Sequence, residues 1–265
     1  LRVEETGDAD VFRVSGRGEL HLTILIENMR REGFELAVSR PQVLLKTIDG
    51  GTHEPFEALT VDVEEAHQGG VMEALGQRRA EMKDMSMDGH GRVRIEYRVP
   101  ARGLIGFQGE FMNLTRGSGL MSHVFDGYAP MRGEIAERRN GVLVSMENGE
   151  AVAYALWSLQ ERGKLFVSHG EKLYEGMIVG IHSRENDLVV NPIKTKKLTN
   201  VRASGKDDAI LLTPPVELTL EYAVEFIADD ELVEVTPQSI RIRKRYLTEN
   251  ERKRNSRAAE SALVE

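Results

Sequence analysis

Apolar residues spaced three and four positions apart predict a first helix over residues 18–32, which ends at Gly33. Short apolar runs predict three strands around this helix, at residues 1–3, 11–14 and 34–38. The order strand, strand, helix, strand is the second half of a split βαβ module. We therefore expect the first strand and helix of that module to lie before Leu1.

A second set of elements, from residue 57 to residue 125, follows the order of a complete split βαβ, or ferredoxin-like, module. Its clearest strand is residues 93–99, where apolar residues alternate with charged ones. The first helix of the set is expected to open at Gly69-Gly70 and the second to cover residues 103–114. The other predicted strands are residues 57–64, 82–87 and 120–125.

Beyond Pro130 the pattern changes to short β-type runs separated by Gly, Asn and Ser. The helices expected there are residues 152–160, 218–228 and 249–261, with Pro214-Pro215 at the entry to the second. The predicted fold class is α+β, with two ferredoxin-like modules, the first incomplete, followed by a β-rich C-terminal domain with a few helices. The expected domains are residues 1–46, 47–130 and 131–265.

Length and composition place the chain among globular proteins and exclude several kinds of site. It has 265 residues and no cysteine, which excludes disulfides and thiolate chemistry. The longest apolar run, residues 151–157, is seven residues long, against the roughly 20 that a membrane helix needs. Because Leu1 opens neither a signal peptide nor a natural start, we expect the chain to be a piece of a longer protein.

The net charge of −8 hides a strong segregation along the chain. Residues 191–206 hold five Lys and Arg and no acid, residues 207–240 hold nine acids and no base, and residues 241–265 hold eight bases and four acids. Two basic segments on an acidic protein suggest that a polyanion binds at one defined place. The alternative is that these segments are only a solvated loop and a disordered basic tail.

The basic segments supply the candidate RNA-binding residues. Residues 191–206 interleave cations with hydroxyl and amide side chains, which suits a phosphate backbone, and we expect this loop to be disordered when free. Residues 241–246 are expected to form an edge strand with one basic face, and Tyr246 is a candidate for stacking on a base. The candidate cations are Lys194, Lys196, Lys197, Arg202, Lys206, Arg241, Arg243, Lys244, Arg245, Arg252, Lys253 and Arg254.

No catalytic or metal-binding constellation is expected in this chain. Gly205-Lys206 lacks the leading glycine and the following Ser or Thr of a phosphate-binding P-loop. The seven histidines form no pair at the spacing of metal ligands. The glycines of residues 15–19 are expected to permit a tight turn rather than to bind phosphate.

Three stretches of the chain resemble translational GTPases of the elongation factor G type. The stretch VFRVSGRGELHLTILIENMRREGFELAVSRPQV resembles their third domain, and GRVRIEYRVPARGLIGFQGEFMNLTRGSG, with the 33 residues from His53, resembles their fifth. The segments KKLTNVRASGKDDA and ELVEVTPQSIRIRKRYLTENERKR resemble the C-terminal domain that is particular to the BipA/TypA family.

This resemblance implies a bacterial, cytoplasmic, ribosome-associated GTPase that assists large-subunit assembly and acts under stress or cold. GTP and Mg would belong to an N-terminal domain absent from these residues, so the chain itself is expected to have no cofactor and no enzymatic activity. The implied partners are large-subunit ribosomal RNA, the acceptor end of A-site transfer RNA and ribosomal proteins, with no membrane and a monomeric state. Residues 194–207 correspond to the RNA-contacting loop.

Two other functions compete with RNA binding. In the first, the chain is a protein-interaction scaffold that docks ribosomal proteins through an acidic helix over residues 217–234. In the second, it is an enzyme by itself, which the missing catalytic motifs disfavour.

Overall fold

The computed structural model describes residues 1–135, 138–195 and 211–262. It forms two compact units, a first unit of Leu1–Arg40 with Arg138–Glu265 and a second unit of Pro41–Glu137. Up to residue 135 the elements are β1 (Arg2–Glu5), β2 (Phe12–Ser15), α1 (Glu19–Arg31), β3 (Leu36–Ser39), β4 (Lys46–Ile48), β5 (Gly51–Glu64), α2 (Glu65–Gln77), β6 (Glu81–Met87), β7 (Arg92–Pro100), α3 (Ala101–Leu104), α4 (Phe107–Leu114) and β8 (Leu120–Pro130). From residue 138 they are β9 (Val142–Ser145), β10 (Gly149–Glu150), α5 (Ala153–Leu159), β11 (Gly163–Leu165), β12 (Lys172–Leu173), β13 (Ile178–His182), β14 (Leu188–Val190), α6 (Leu220–Phe226), β15 (Glu231–Val235), β16 (Ile240–Lys244) and α7 (Glu249–Ala262). The prediction of a mixed α and β fold is confirmed.

The second unit is built on an antiparallel sheet. Strand β5 pairs with β7 and β8, β7 also pairs with β6, and the short β4 pairs with the start of β5. The alternation in residues 93–99 is confirmed, because Val93, Ile95, Tyr97 and Val99 are buried. They pack with Phe107 and Phe111 of α4 and with apolar residues of β5 and α2.

Two helix boundaries in the second unit differ from the prediction. Helix α2 begins at Glu65, so Gly69-Gly70 lies inside the helix and does not open it. The predicted helix over residues 103–114 is two helices, because Gly106 adopts a left-handed conformation with φ 71° between α3 and α4. Glycine tolerates this conformation since it has no Cβ atom.

The first unit combines residues from both ends of the chain. Its sheets are the hairpin β1-β2, the three-stranded β16-β15-β3, the four-stranded β11-β13-β9-β14 and the small β10-β12. Strand β3 pairs with β15, and Ile26 of α1 belongs to the same buried core as Ile178 and Val233. The expected three-domain boundaries remain a prediction.

Helix α6 is shorter than the predicted helix over residues 218–228, and Pro214-Pro215 does not open it. It begins at Leu220, where the hydroxyl of Thr219 accepts a hydrogen bond from the Tyr222 backbone N–H at 3.2 Å. It ends at Phe226, so residues 217–234 are not one acidic helix. Among the described residues, no helix has the length and apolar composition needed to cross a bilayer.

Candidate nucleic-acid interface

The second basic segment faces an acidic strand. Strands β15 and β16 pair antiparallel, with Glu231 opposite Lys244 and Glu234 opposite Arg241. The acids that end residues 207–240 therefore lie beside the bases that begin residues 241–265. The pairing of β15 with β16 therefore determines which of the predicted phosphate-binding cations point to solvent.

Lys244 lies inside the protein. It is 3% exposed, and its Nζ lies 2.6 Å from Asp187 Oδ2, 2.8 Å from Asp230 Oδ2 and 3.0 Å from Glu231 Oε1. Its ammonium is fully engaged by these carboxylates and cannot reach an RNA phosphate in this fold.

Arg138 completes this group, which we call the Lys244 cluster: Arg138, Asp187, Asp230, Glu231 and Lys244. Glu231 and Lys244 are buried, whereas Asp187 and Asp230 are exposed at its edge. The Arg138 guanidinium donates two hydrogen bonds to the Glu231 carboxylate, at 2.8 and 2.9 Å. Such two-pronged pairs are among the stronger hydrogen bonds in proteins.

The charges of the Lys244 cluster shift the pKa values of its members. Burial alone would raise the pKa of Glu231, but hydrogen bonds and charge from Arg138, together with Lys244, hold it below its ordinary value. Burial alone would lower the pKa of Lys244, but the three surrounding carboxylates raise it above its ordinary value. Both groups are therefore charged at neutral pH.

Arg243 is also engaged within the protein. Its Nε lies 2.7 Å from Glu234 Oε1, without the alignment of a hydrogen bond, and its Nη1 donates to the carbonyls of Lys244 and Arg245 at 3.1 and 3.3 Å. Glu234 also accepts a hydrogen bond from the Tyr174 hydroxyl at 2.5 Å, and burial raises the pKa of that tyrosine. Arg241, at the start of the strand, is half-buried.

The cations that follow β16 divide into engaged and outward-facing groups. Arg252 donates hydrogen bonds from Nη1 to the carbonyls of Tyr246, at 3.2 Å, and Leu247. Lys253 belongs to both groups, because its Nζ lies 2.5 Å from Glu249 Oε1, one turn earlier in α7, while its side chain is 63% exposed. Arg245 and Arg254 are exposed, so they are the members of this segment best placed to meet a phosphate.

The first basic segment is described only over residues 191–195. Lys194 is exposed. Lys196, Lys197, Arg202 and Lys206, and with them the prediction of a disordered loop, lie outside the described residues.

Sequence reasoning missed two features of this unit. The first is the internal pairing of the bases of β16, for which the nine acids of residues 207–240 were the available signal. The second is Trp157, which was assigned to a helix but not to its outer face, although it is 45% exposed. Among the described residues, no three His, Asp or Glu side chains are grouped in a way that would hold a metal ion.

Comparison with known families divides the chain close to the boundary between the two units, which lies after Glu137. Residues 51–139 match the elongation factor G C-terminus, a ferredoxin-like domain, and residues 140–249 match the TypA/BipA C-terminal domain. The chain is 64% identical over 259 residues to a protein of Escherichia coli named large ribosomal subunit assembly factor BipA, which covers 97% of this chain and 43% of that protein. Proteins of the same name in Haemophilus influenzae and Buchnera aphidicola are 63% and 56% identical, over 98% and 97% of this chain and 42% of each protein.

The match lies in one part of these relatives. The chain spans about two-fifths of their length, and the matched region is their C-terminal part. The resemblance predicted from the sequence is thereby confirmed, and the chain belongs to the BipA/TypA family.

Proposed function

We propose that this chain is the ribosome-binding C-terminal part of a translational GTPase that acts in assembly of the large ribosomal subunit. The observation that carries the proposal is the 64% identity, over 97% of this chain, to a protein named large ribosomal subunit assembly factor BipA. GTP and Mg would be held by a part of the longer protein outside these residues. Action in the cytoplasm and under stress or cold belongs to the same proposal.

The proposed contacts are with ribosomal RNA and the acceptor end of A-site transfer RNA. Residues 191–206 supply five cations and no acid, and Arg245 and Arg254 add two exposed guanidinium groups. Phosphate contacts of this kind position a protein on RNA and dominate its affinity. Lys244 and Arg243 are not part of the proposed interface, because carboxylates of this chain engage them.

The proposal also covers the arrangement of the chain into modules. Residues 47–130 would form a complete split βαβ module and residues 1–46 the second half of another. The element order strand, helix, strand, strand, helix, strand from β5 to β8 supports the first of these assignments.

The scaffold alternative has less support from the described residues. Asp230, Glu231 and Glu234 contact cations of this chain, and Asp229 lies 3.5 Å from Arg40. Cations of this chain therefore compete with a basic partner for these acids, although the side chains of Asp229 and Asp230 are 63% and 61% exposed.

Sedimentation with large ribosomal subunits tests the proposal. The variant with Lys196, Lys197, Arg202 and Lys206 replaced by alanine is expected to bind at least tenfold more weakly, because each phosphate contact contributes to affinity. The matched control replaces Arg139, Lys164, Lys172 and Arg184, four exposed cations elsewhere in the first unit, and is expected to bind like the unmodified chain. Equal binding of all three proteins would contradict the proposal.

A further inference from the structure

Four methionines form an apolar patch at one edge of the sheet of the second unit. They are Met72 of α2 and Met82, Met85 and Met87 of β6, and we call them the methionine patch. The side-chain amide of Gln68, in α2, donates to the Met72 sulfur at 3.5 Å and to the Met85 sulfur at 3.1 Å, so it links the helix to the strand. Met82, Met85 and Met87 are 48%, 39% and 61% exposed. Apolar side chains grouped in this way on a protein surface mark a candidate interaction site.

A bulge in β6 brings the three strand methionines to one face of the sheet. In a regular strand Met82 and Met85, three positions apart, would point to opposite faces. The register against β7 shifts between Met82 and Asp84, so the two side chains point to the same face instead. The register places Met82 opposite Tyr97, Met85 opposite Ile95 and Met87 opposite Val93. Because these three partners are buried in the core with residues of α2 and α4, the methionines lie on the helix-covered face.

Strand β6 is an edge strand that is protected against pairing with a further strand. Among the described strands it pairs only with β7. Its bulge and its charged residues Glu81, Lys83 and Asp84 are devices by which proteins prevent an edge from adding another strand. A partner is therefore expected to contact the methionine side chains rather than the backbone of β6. Methionine suits such a contact, because its flexible and polarisable side chain adapts to the surface that it meets.

Acids without an ion pair border the methionine patch. Glu65 lies three positions before Gln68, so the two side chains share one side of α2. Glu73 follows Met72 directly. Both glutamates are exposed, and neither forms an ion pair in the part of the chain that the structure describes.

The bases of the same region are engaged within the chain. Residues 64–90 hold six acids and three bases. Arg78 lies 2.9 Å from the Glu110 carboxylate, Lys83 pairs with Glu81, and Arg79 donates to the Glu134 carbonyl at 3.1 Å. The charge that remains available beside the methionine patch is therefore negative, which favours a partner with basic side chains.

We propose that the methionine patch is a docking site for a basic amphipathic helix of a partner protein. The apolar side of this helix lies on the methionines, and its lysines or arginines meet Glu65 and Glu73. An apolar, methionine-rich surface is a known way of holding helices of this kind. The site lies in the second unit, so it goes beyond the proposed RNA contacts, which use residues of the first unit, and it stands or falls without them.

Methyl NMR of the ten methionines of the chain locates the binding site directly. The probe is a peptide of about 16 residues made of Leu and Lys, with the leucines three and four positions apart so that they form one face of a helix. It is expected to shift the methyl resonances of the methionine patch. Met131 and Met146, which are 48% and 43% exposed elsewhere, are internal controls and should not shift. No shift, or equal shifts at all exposed methionines, would overturn the proposal.

A triple variant tests whether the methionines supply the affinity. The changes Met82→Gln, Met85→Gln and Met87→Gln are together expected to weaken peptide binding about tenfold, because they replace apolar contact surface by amides. The matched control carries Leu120→Gln, Val124→Gln and Phe125→Gln on β8, which are 67%, 66% and 63% exposed. It is expected to bind the peptide like the unmodified chain, and equal weakening in both variants would contradict the proposed site.

Thermal unfolding followed by circular dichroism shows whether each variant is folded. If the triple variant is not, the single change Met87→Gln at the most exposed of the three positions takes its place. It is expected to weaken peptide binding about twofold, in proportion to the smaller apolar surface that it removes. Unchanged binding by the folded variant would overturn the proposal.

Further measurements separate the other possible occupants. A peptide of the same composition with Leu and Lys in strict alternation has the pattern of a strand and is expected to bind more weakly, so tighter binding would indicate strand addition to β6 instead. A peptide with Glu in place of Lys is expected not to bind, and equal binding would exclude a role for Glu65 and Glu73. Shifts of the patch methyls on raising the protein concentration without peptide would indicate a second copy of this chain. Each of these contrary results overturns the proposal and leaves ribosome binding by the first unit untouched.

Discussion

The two basic segments of this chain are both rich in Lys and Arg, but they differ in the acids that the sequence and the fold place near them. In residues 241–254, Arg243, Lys244 and Lys253 lie within 3.0 Å of carboxylates of the same chain. Residues 191–206 contain no acid, and their described end, Lys194, is exposed. A count of positive charge therefore does not measure how much of that charge is available to a partner.

The engaged cations of the second segment follow from the strand beside which it lies. Strand β16 pairs with β15, which brings Glu231 and Glu234 from the acidic stretch next to the bases that follow it. Opposite charges placed across neighbouring strands attract each other, and burial strengthens that attraction. The second basic segment thus contributes to the stability of the hairpin as well as to the surface.

The largest effect is expected from Lys244→Met, which keeps the volume of the side chain and removes its charge. Removing one partner of a buried ion pair typically costs about 3–5 kcal/mol, because the remaining charges are left uncompensated. Urea unfolding should show a loss of this size in the free energy of unfolding.

The control for this experiment is Arg245→Met, the same kind of charge removal at the adjacent exposed position. It is expected to change the free energy of unfolding by less than about 0.5 kcal/mol. Similar losses in the two variants would contradict the contrast between engaged and exposed cations.

A smaller effect, dependent on pH, is expected from Glu231→Gln. The folded-state pKa of Glu231 is lowered from 4.5, so its charge stabilises the fold above that pH and the stabilisation is lost as the pH falls through the folded value. At pH 7 the variant should lose about 2 kcal/mol, the range of a hydrogen bond to a charged group. The difference from the unmodified chain should shrink as unfolding is measured at progressively lower pH below 4.5, and a constant difference would show that the carboxylate charge is not responsible.

The smallest effect is expected from replacing Arg245 and Arg254 together by alanine. Both are exposed, so the free energy of unfolding should stay within about 0.5 kcal/mol of the unmodified chain. The magnitude of the slope of log affinity for ribosomes against log salt should fall by up to about 0.7 for each phosphate that the variant no longer neutralises. An unchanged slope would remove both residues from the proposed interface.

Local sequence patterns predicted where the helices and strands of this fold lie. They predicted less well which of these elements contact each other. The alternation around Ile95 identified β7, because a strand with one buried face repeats every two residues. The Gly69-Gly70 pair misled the prediction of α2, since the packing of Val71 and Leu75 outweighs the low helix propensity of glycine. The pairing of β3 with β15 joins residues almost 200 positions apart, and no local pattern carries that information.

In the candidate site, too, local sequence patterns did not predict which residues contact each other. Basic composition identified residues 241–254, but the burial of Lys244 depends on Asp187 and Asp230, which different loops bring together. The exposure of Trp157 follows from which side of α5 meets the core. Apolar spacing within seven residues does not determine that side when nearly all of them are apolar.

The proposed function assigns ribosomal phosphates to the cations of residues 191–206 rather than to the engaged cations of β16. Affinity for large ribosomal subunits, measured over a range of salt concentrations, tests this for the unmodified chain, for the alanine variant of Lys196, Lys197, Arg202 and Lys206, and for Arg243→Ala. We predict that the slope of log affinity against log salt falls by about three for the fourfold variant, at roughly 0.7 per phosphate, while Arg243→Ala keeps the slope of the unmodified chain. A slope unchanged by the fourfold variant, or lowered by Arg243→Ala, would show that the wrong segment has been assigned to the RNA.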